Sequence, residues 1–190
     1  MIDLTDLKVI PATLADYPTI QNMARFYVYD MSRYCGFISN NWACPEDGMY
    51  ECYDLKKNFE EAKRKAFLVK IKNELAGFVI LLQDRNVWQV NEFFILAKFQ
   101  GKGIGEQVAH QIWKMHSGNW QLHVIPENTK GLAFWRKVVS SFTKGIHTEE
   151  VIAVDYDVHQ PKRIIFQFEA SAYHLRPAKI DDAADPWLET

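Results

Sequence analysis

Three cysteines are too few, and too scattered, to staple this 190-residue chain. Cys35, Cys44 and Cys52 form an odd set with no C-x-x-C pair, which excludes a disulfide framework and the usual spacing of a zinc site. Basic charge is not in surplus either: 22 Lys and Arg stand against 24 Asp and Glu, a formal net charge of −2. A generic nucleic-acid binder, which must neutralise phosphates, is therefore not expected. No uninterrupted apolar run approaches membrane-spanning length, and residues 1–6 lack the basic flank and apolar stretch of a signal peptide. These absences lead to the expectation of a soluble, cytoplasmic protein that uses neither metal, nucleic acid nor membrane.

What the chain does have is aromatic residues, 14% of the total, with twelve Phe, eight Tyr and six Trp. Aromatic packing or an aromatic-lined cleft follows. The length suits one well-buried domain, expected over residues 1–169, with a tail of separate character at 170–190. In that tail, residues 174–182 loosely echo residues 8–16.

Apolar periodicity sets out the elements. Residues 9–11 read as a short strand ending at proline, followed by a helix over 13–29 opened by Thr13 and Asp16 as a capping box. Residues 30–50 read as a loop containing at most a turn of helix. Cys52, Leu55, Phe59 and Ala62 recur at three- and four-residue spacing, which predicts an amphipathic helix over 51–65. Two apolar runs, 66–71 and 75–82, flank a short polar turn and make a hairpin. Further strands are expected at 87–96, 120–125, 147–153 and 163–169, with helices after residue 104 and over 128–139. The result is an α/β sandwich built on a mixed sheet with helices on both faces.

Gln100-Gly101-Lys102-Gly103-Ile104-Gly105 falls where a strand gives way to a helix. Glycines at alternate positions let backbone N–H groups converge on an anion, assisted by the positive end of the helix dipole. Neither the G-x-G-x-x-G nor the G-x-x-x-x-G-K-[ST] pattern fits this run. It matches Q/R-x-x-G-x-G/A, the pyrophosphate loop of the GNAT-type N-acetyltransferases. A second pattern of that family, N-x-x-[AG]-x-x-F-[YW], is met by Asn128, Gly131, Phe134 and Trp135.

The chain thus resembles a GNAT-superfamily acetyltransferase over about residues 67–142. The resemblance implies a mixed, mostly antiparallel sheet with a splayed central strand, and acetyl-coenzyme A as co-substrate. It implies that Phe93, Phe94 and Ile95 pair with the pantetheine arm, and that residues 100–106 (Gln100, Gly101, Lys102, Gly103, Ile104, Gly105 and Glu106) hold the pyrophosphate. Asn128 would bond the pantetheine arm or cap its own helix. Trp135 stands where many relatives carry a tyrosine whose hydroxyl returns a proton to the departing thiolate. Indole N–H has no useful acidity, so another tyrosine acts or the thiolate leaves with solvent help. A branch of predicted acetyltransferases carries the same F-W-R as Phe134-Trp135-Arg136.

The chemistry needs a base to take a proton from an amine, often through water. Glu92 and His123 occupy the two positions that supply it in different relatives. The histidine has the better unperturbed pKa, while the glutamate needs burial or a relayed water. Tyr27, Tyr29, Asp30 and Tyr34, with Trp42 and Tyr50 nearby, offer an aromatic surface and a carboxylate to an amine with apolar bulk, or simply pack under a long loop. The implied activity is transfer of acetyl to a small-molecule or peptide amine by direct attack in a ternary complex. The alternative is a non-catalytic acyl-coenzyme A sensing module. Self-association into a homodimer is left open.

Overall fold

The computed structural model describes residues 3–171. Seven strands form one sheet: β1 (Leu7–Pro11), β2 (Arg64–Ile71), β3 (Glu74–Asp84), β4 (Val87–Ile95), β5 (Gly118–Val124), β6 (Thr148–Ala153) and β7 (Lys162–Ala170). Their order is β1-β2-β3-β4-β5-β7-β6, and every neighbour pair is antiparallel except β4 with β5. This is the mixed, mostly antiparallel sheet that the resemblance implies.

Helices cover both faces. On one side α3 (Ile104–Met115) and α4 (Thr129–Thr143) bury Ile104, Val108, Ile112, Trp113, Val138 and Val139 against Val79, Trp120, Leu122 and Phe166. On the other, α1 (Tyr17–Cys35) buries Ile20, Met23 and Ala24 against Phe78, Ile80 and Phe94. Each cluster removes several large side chains from water, at about 1.5–3 kcal/mol apiece for full burial.

Two helix boundaries need correction in detail. The first helix begins at Tyr17, after a 3-10 turn over Leu14–Asp16, and runs on to Cys35 rather than ending near residue 29. Asp16 Oδ2 does reach back to the Thr13 N–H, at 2.9 Å. The fourth helix likewise continues to Thr143, past residue 139. The loop before residue 50 contains one 3-10 turn, Asn40–Trp42.

The expected amphipathic helix over 51–65 is largely absent. Only α2 (Lys57–Glu60) is helical, and β2 already starts at Arg64. The reason lies in competing hydrogen bonds. The Gln21 side chain accepts the Leu55 N–H at 2.9 Å and donates to the Cys52 and Tyr53 carbonyls at 3.2 and 3.3 Å. Asp54 accepts the Lys56 N–H at 2.8 Å, the kind of local side-chain bond that displaces helix. Residues 52–55 are thereby strapped in a non-helical conformation across α1, with Leu55 fully buried. The tail beyond residue 171, including its echo of residues 8–16, lies outside the described residues.

Candidate active site at a forked strand pair

The parallel ladder of β4 and β5 is short. Val87 to Val90 pair in turn with Asn119 to Leu122, and no pairing between the two strands continues beyond that point. From there β4 goes on to Ile95 and β5 to Val124, leaving a fork with an unpaired edge on β4. That is the splay expected of the central strand.

A bulge sits at the same place. Leu81 pairs with Val90 and Ile80 with Glu92, so Asn91 is an extra residue on β4. Strand side chains alternate faces, so one inserted residue switches everything after it. Val90 packs on the α3/α4 side, and without the bulge Glu92 would too. Instead Glu92 lies opposite Ile80, on the α1 side.

There Glu92 meets phenols. The Tyr53 hydroxyl donates to Glu92 Oε1 at 2.5 Å, and Asn91 Nδ2 donates to the Tyr53 oxygen at 3.3 Å. Tyr27, whose ring stands edge-on to Phe94 at 6.0 Å, is a second phenol beside the carboxylate. Burial pushes the Glu92 pKa up to about 7, against the pull of both phenols, which favour the charged form. Burial and the Glu92 charge push the Cys52 thiol up to about 12, so it is no nucleophile at neutral pH. The same two causes raise both phenols.

His123 stands on the other arm of the fork. Its neighbours Leu122 and Val124 face α3 and α4, so its own side chain faces the α1 side. The residue is exposed. Partial burial of the ring, and then the Arg163 guanidinium, hold its pKa below the ordinary histidine value.

The glycine run follows β4 through a 3-10 turn, Ala97–Phe99. Gly101 and Gly103 have φ of +70° and +78°, a left-handed backbone that favours glycine; a Cβ at Gly101 would meet open space and one at Gly103 would touch Leu4 at 3.9 Å. Gly105 has another reason: a Cβ there would lie 3.1 Å from the Phe134 ring. The first intrahelical bond of α3 runs from Gln107 N–H to Gly103 O, so the Ile104, Gly105 and Glu106 amides have no intrahelical partner. N–H groups without an intrahelical partner, a positive helix end and open space above Gly101 fit an anionic group such as a pyrophosphate.

The flanking side chains are committed elsewhere. Gln100 Nε2 donates to Ile95 O at 2.7 Å, which ties the loop to the end of the free edge. Lys102 Nζ curls onto the Lys98 carbonyl at 2.9 Å. Glu106 pairs with Lys137 at 3.0 Å, joining α3 to α4. Asn128 caps α4, its Oδ1 accepting the Gly131 N–H at 2.9 Å. A Cβ on Gly131 would fall 2.5 Å from that amide, so a side chain there would displace the capping Asn128 as it stands. Trp135 is 9% exposed and packs on Phe93 at 5.0 Å, beneath the fork.

The four residues singled out on α1 separate. Tyr27, Asp30 and Tyr34 share a stripe at i, i+3 and i+7, and only Tyr27 reaches Glu92. Tyr29 points away and pairs edge-on with Tyr50 at 5.6 Å. Beside them an open groove of about 430 Å³ runs between Val28 and the 41–51 segment, edged by Glu46, Asp47 and Glu51. Gln160 ties the loop after α1 to the rest of the fold: it accepts the Trp42 indole N–H at 3.1 Å and donates to Glu127 and Cys35, both at 3.2 Å. Sequence reasoning missed Tyr53 and Gln21. No local pattern marks either, and the helical spacing over 51–65 placed Tyr53 on the wrong kind of element.

Among the described residues there is no cluster able to hold a metal ion, and no helix is long and apolar enough to cross a membrane.

Comparison with known proteins agrees with this geometry. No curated protein matches the chain. Solved structures match across most of its length. An acetyltransferase from Thermus thermophilus shares 17% identity and a TM-score of 0.58, covering 86% of this chain and 96% of its own. The spermidine/spermine N-acetyltransferase SpeG of Vibrio cholerae gives 17% and 0.58, with 89% and 95% covered. PaiA N-acetyltransferase of Thermoplasma acidophilum, solved with coenzyme A, gives 16% and 0.58, with 86% and 98% covered. At such identities the likeness is one of fold. The sequence model of the acetyltransferase (GNAT) family matches residues 27–139, more than half of the chain, and with the forked strand and glycine loop in place, this protein belongs to that family.

Proposed function

We propose that the protein is an acetyl-coenzyme A-dependent N-acetyltransferase that acts on a primary amine by direct attack in a ternary complex. One observation carries the reading. The unpaired edge of β4 runs from a glycine loop, with free helix-terminal amides, back to a carboxylate of pKa about 7 at the crotch of the fork.

In this reading the amides of residues 101–106 hold the pyrophosphate. The Phe93–Ile95 edge offers its N–H and C=O groups to the amide-rich arm, as a sheet edge does to an added strand. Asn128 acts chiefly as the α4 cap, and Trp135 supports Phe93 from below. Bound acetyl-coenzyme A supplies the acyl group and a good leaving thiolate.

Glu92 is the better-placed base. A group titrating near neutrality combines the right protonation state with useful basicity. It lies at the fork on the α1 side of the sheet. The groove edged by Glu46, Asp47 and Glu51 favours a cationic amine, attracted by charge before it loses a proton.

Calorimetry with acetyl-coenzyme A, paired with thiol release against an amine panel, tests the proposal. Gly103→Asp should abolish binding while the protein stays folded by circular dichroism, because it places a strained residue and a negative charge in the cradle. No binding by the wild-type chain at sub-millimolar coenzyme sinks the reading. The core position of Trp135, which offers no acidic hydroxyl, favours one alternative, a non-catalytic acyl-coenzyme A sensing module. Binding without turnover across the panel would select it.

A further inference from the structure

The phenol of Tyr53 has no counterpart in the sequence patterns, and its surroundings are built. The strap that carries it is clamped three times by one side chain, Gln21, which bonds the Cys52 carbonyl, the Tyr53 carbonyl and the Leu55 N–H. It is tied again where the Tyr17 hydroxyl donates to Asp54 at 2.9 Å. The strap delivers the Tyr53 oxygen to Glu92 Oε1 at 2.5 Å and to Asn91 Nδ2 at 3.3 Å. Both contacts lie at the end of the free β4 edge farthest from the glycine loop, which abuts Ile95 through Gln100. The hydroxyl is therefore coupled directly to the base, at the far end of the edge along which the thioester would be presented.

A cationic acceptor first gives one proton to solvent, and from the neutral amine acetyl transfer moves one proton. The amine nitrogen loses it as the C–N bond forms, and the sulfur gains it as the C–S bond breaks. A carboxylate that takes the amine proton turns from acceptor to donor. Its hydrogen bond with Tyr53 then reverses direction, and the phenolic proton is released for another acceptor.

We propose that Tyr53 and Glu92 form a single proton relay in which Glu92 takes the proton from the amine and Tyr53 delivers one to the departing sulfur. The phenolate left on Tyr53 recovers its proton from Glu92, so both groups return to their starting states and no other reactant is needed. The inference rests on the acetyltransferase reading. It assigns Gln21 as the positioning residue that holds the phenol on the carboxylate.

The groups facing Glu92 are Tyr27 from α1, Tyr53 and Cys52 from the strap, and no cation is among them. Replacing Tyr53 thus removes a donor that favours the carboxylate and brings in no compensating charge.

Tyr53→Phe deletes one oxygen from a half-exposed ring and leaves the strap in place. With acetyl-coenzyme A and the best amine of the panel, kcat should fall about 100-fold, the usual order for losing a proton-transfer group. Coenzyme affinity by calorimetry should be unchanged, and the rising limb of kcat should move to higher pH. A phenol that merely packs would leave that limb where it was. Gln21→Ala should lower kcat in the same direction by about tenfold, since small misplacements of reacting groups are costly. A Tyr53→Phe enzyme with wild-type kcat and an unmoved limb overturns the relay and leaves the acetyltransferase reading standing. Failure of the wild-type chain to bind acetyl-coenzyme A overturns both.

Discussion

The two arms of the fork carry the two candidate bases in opposite circumstances. Glu92 on β4 is partly enclosed, with two phenols and a thiol around it, and titrates near 7. His123 on β5 is exposed as a residue, but partial burial of its ring, and then Arg163, oppose its protonation. Ordinary pKa values rank the histidine first as a base at neutral pH. The fold inverts that ranking: it raises the carboxylate into the working range and lowers the imidazole away from its own. Candidate bases are thus better judged by what surrounds them than by residue type.

The sharpest way to break this contrast is to remove each base in turn. Glu92→Gln should lower kcat by about 100- to 1000-fold, within the range general-base catalysis contributes, with acetyl-coenzyme A affinity kept. His123→Ala should change kcat less than about threefold by the same yardstick. Steady-state rates of both variants decide the matter, and the reverse order would assign the role to β5.

The pH profile sharpens the comparison further. Glu92 works as a base only when ionised, so kcat/KM should rise with pH and level off above about 7. Glu92→Gln should erase that limb, and His123→Ala should leave it.

A smaller effect concerns stability. The Glu92 pKa is raised on folding from an ordinary value of 4.5, so between about 4.5 and 7 the folded state binds more protons than the unfolded one. Stability from this site is then fully present below 4.5 and falls as pH rises through 7. Glu92→Gln removes the loss. It should melt a few degrees above wild type at pH 8, on the order of 4 °C for a chain of this size, and match it at pH 4.5. Equal melting temperatures at both pH values would mean that Glu92 is better solvated than its surroundings indicate.

Much of the glycine-loop geometry was legible beforehand because its requirements are local. Gly101 and Gly103 need positive φ, Gly105 must clear Phe134, and Gly131 must clear the capping amide of Asn128. Each constraint leaves a glycine at a set spacing, and spacing is what a sequence displays. The surroundings of Glu92 were not legible. Over 51–65, apolar residues at three- and four-residue spacing look helical, yet Gln21, some thirty positions away, takes the backbone bonds that a helix would need. Of the tyrosines singled out, Tyr27 reaches the carboxylate, whereas Tyr29 faces Tyr50 on the outside of α1.

The chain by itself determined the strands of the sheet, the three longer helices, the glycine cradle and the candidacy of Glu92, since propensity, periodicity and turn chemistry act over a few residues. Tertiary structure alone decided which face Glu92 occupies and which groups set its pKa. The Asn91 bulge is a property of how β4 meets β3, and the strap is a property of how residues 52–55 meet α1. Both place groups on Glu92 from positions that neither local spacing nor alternation relates to it.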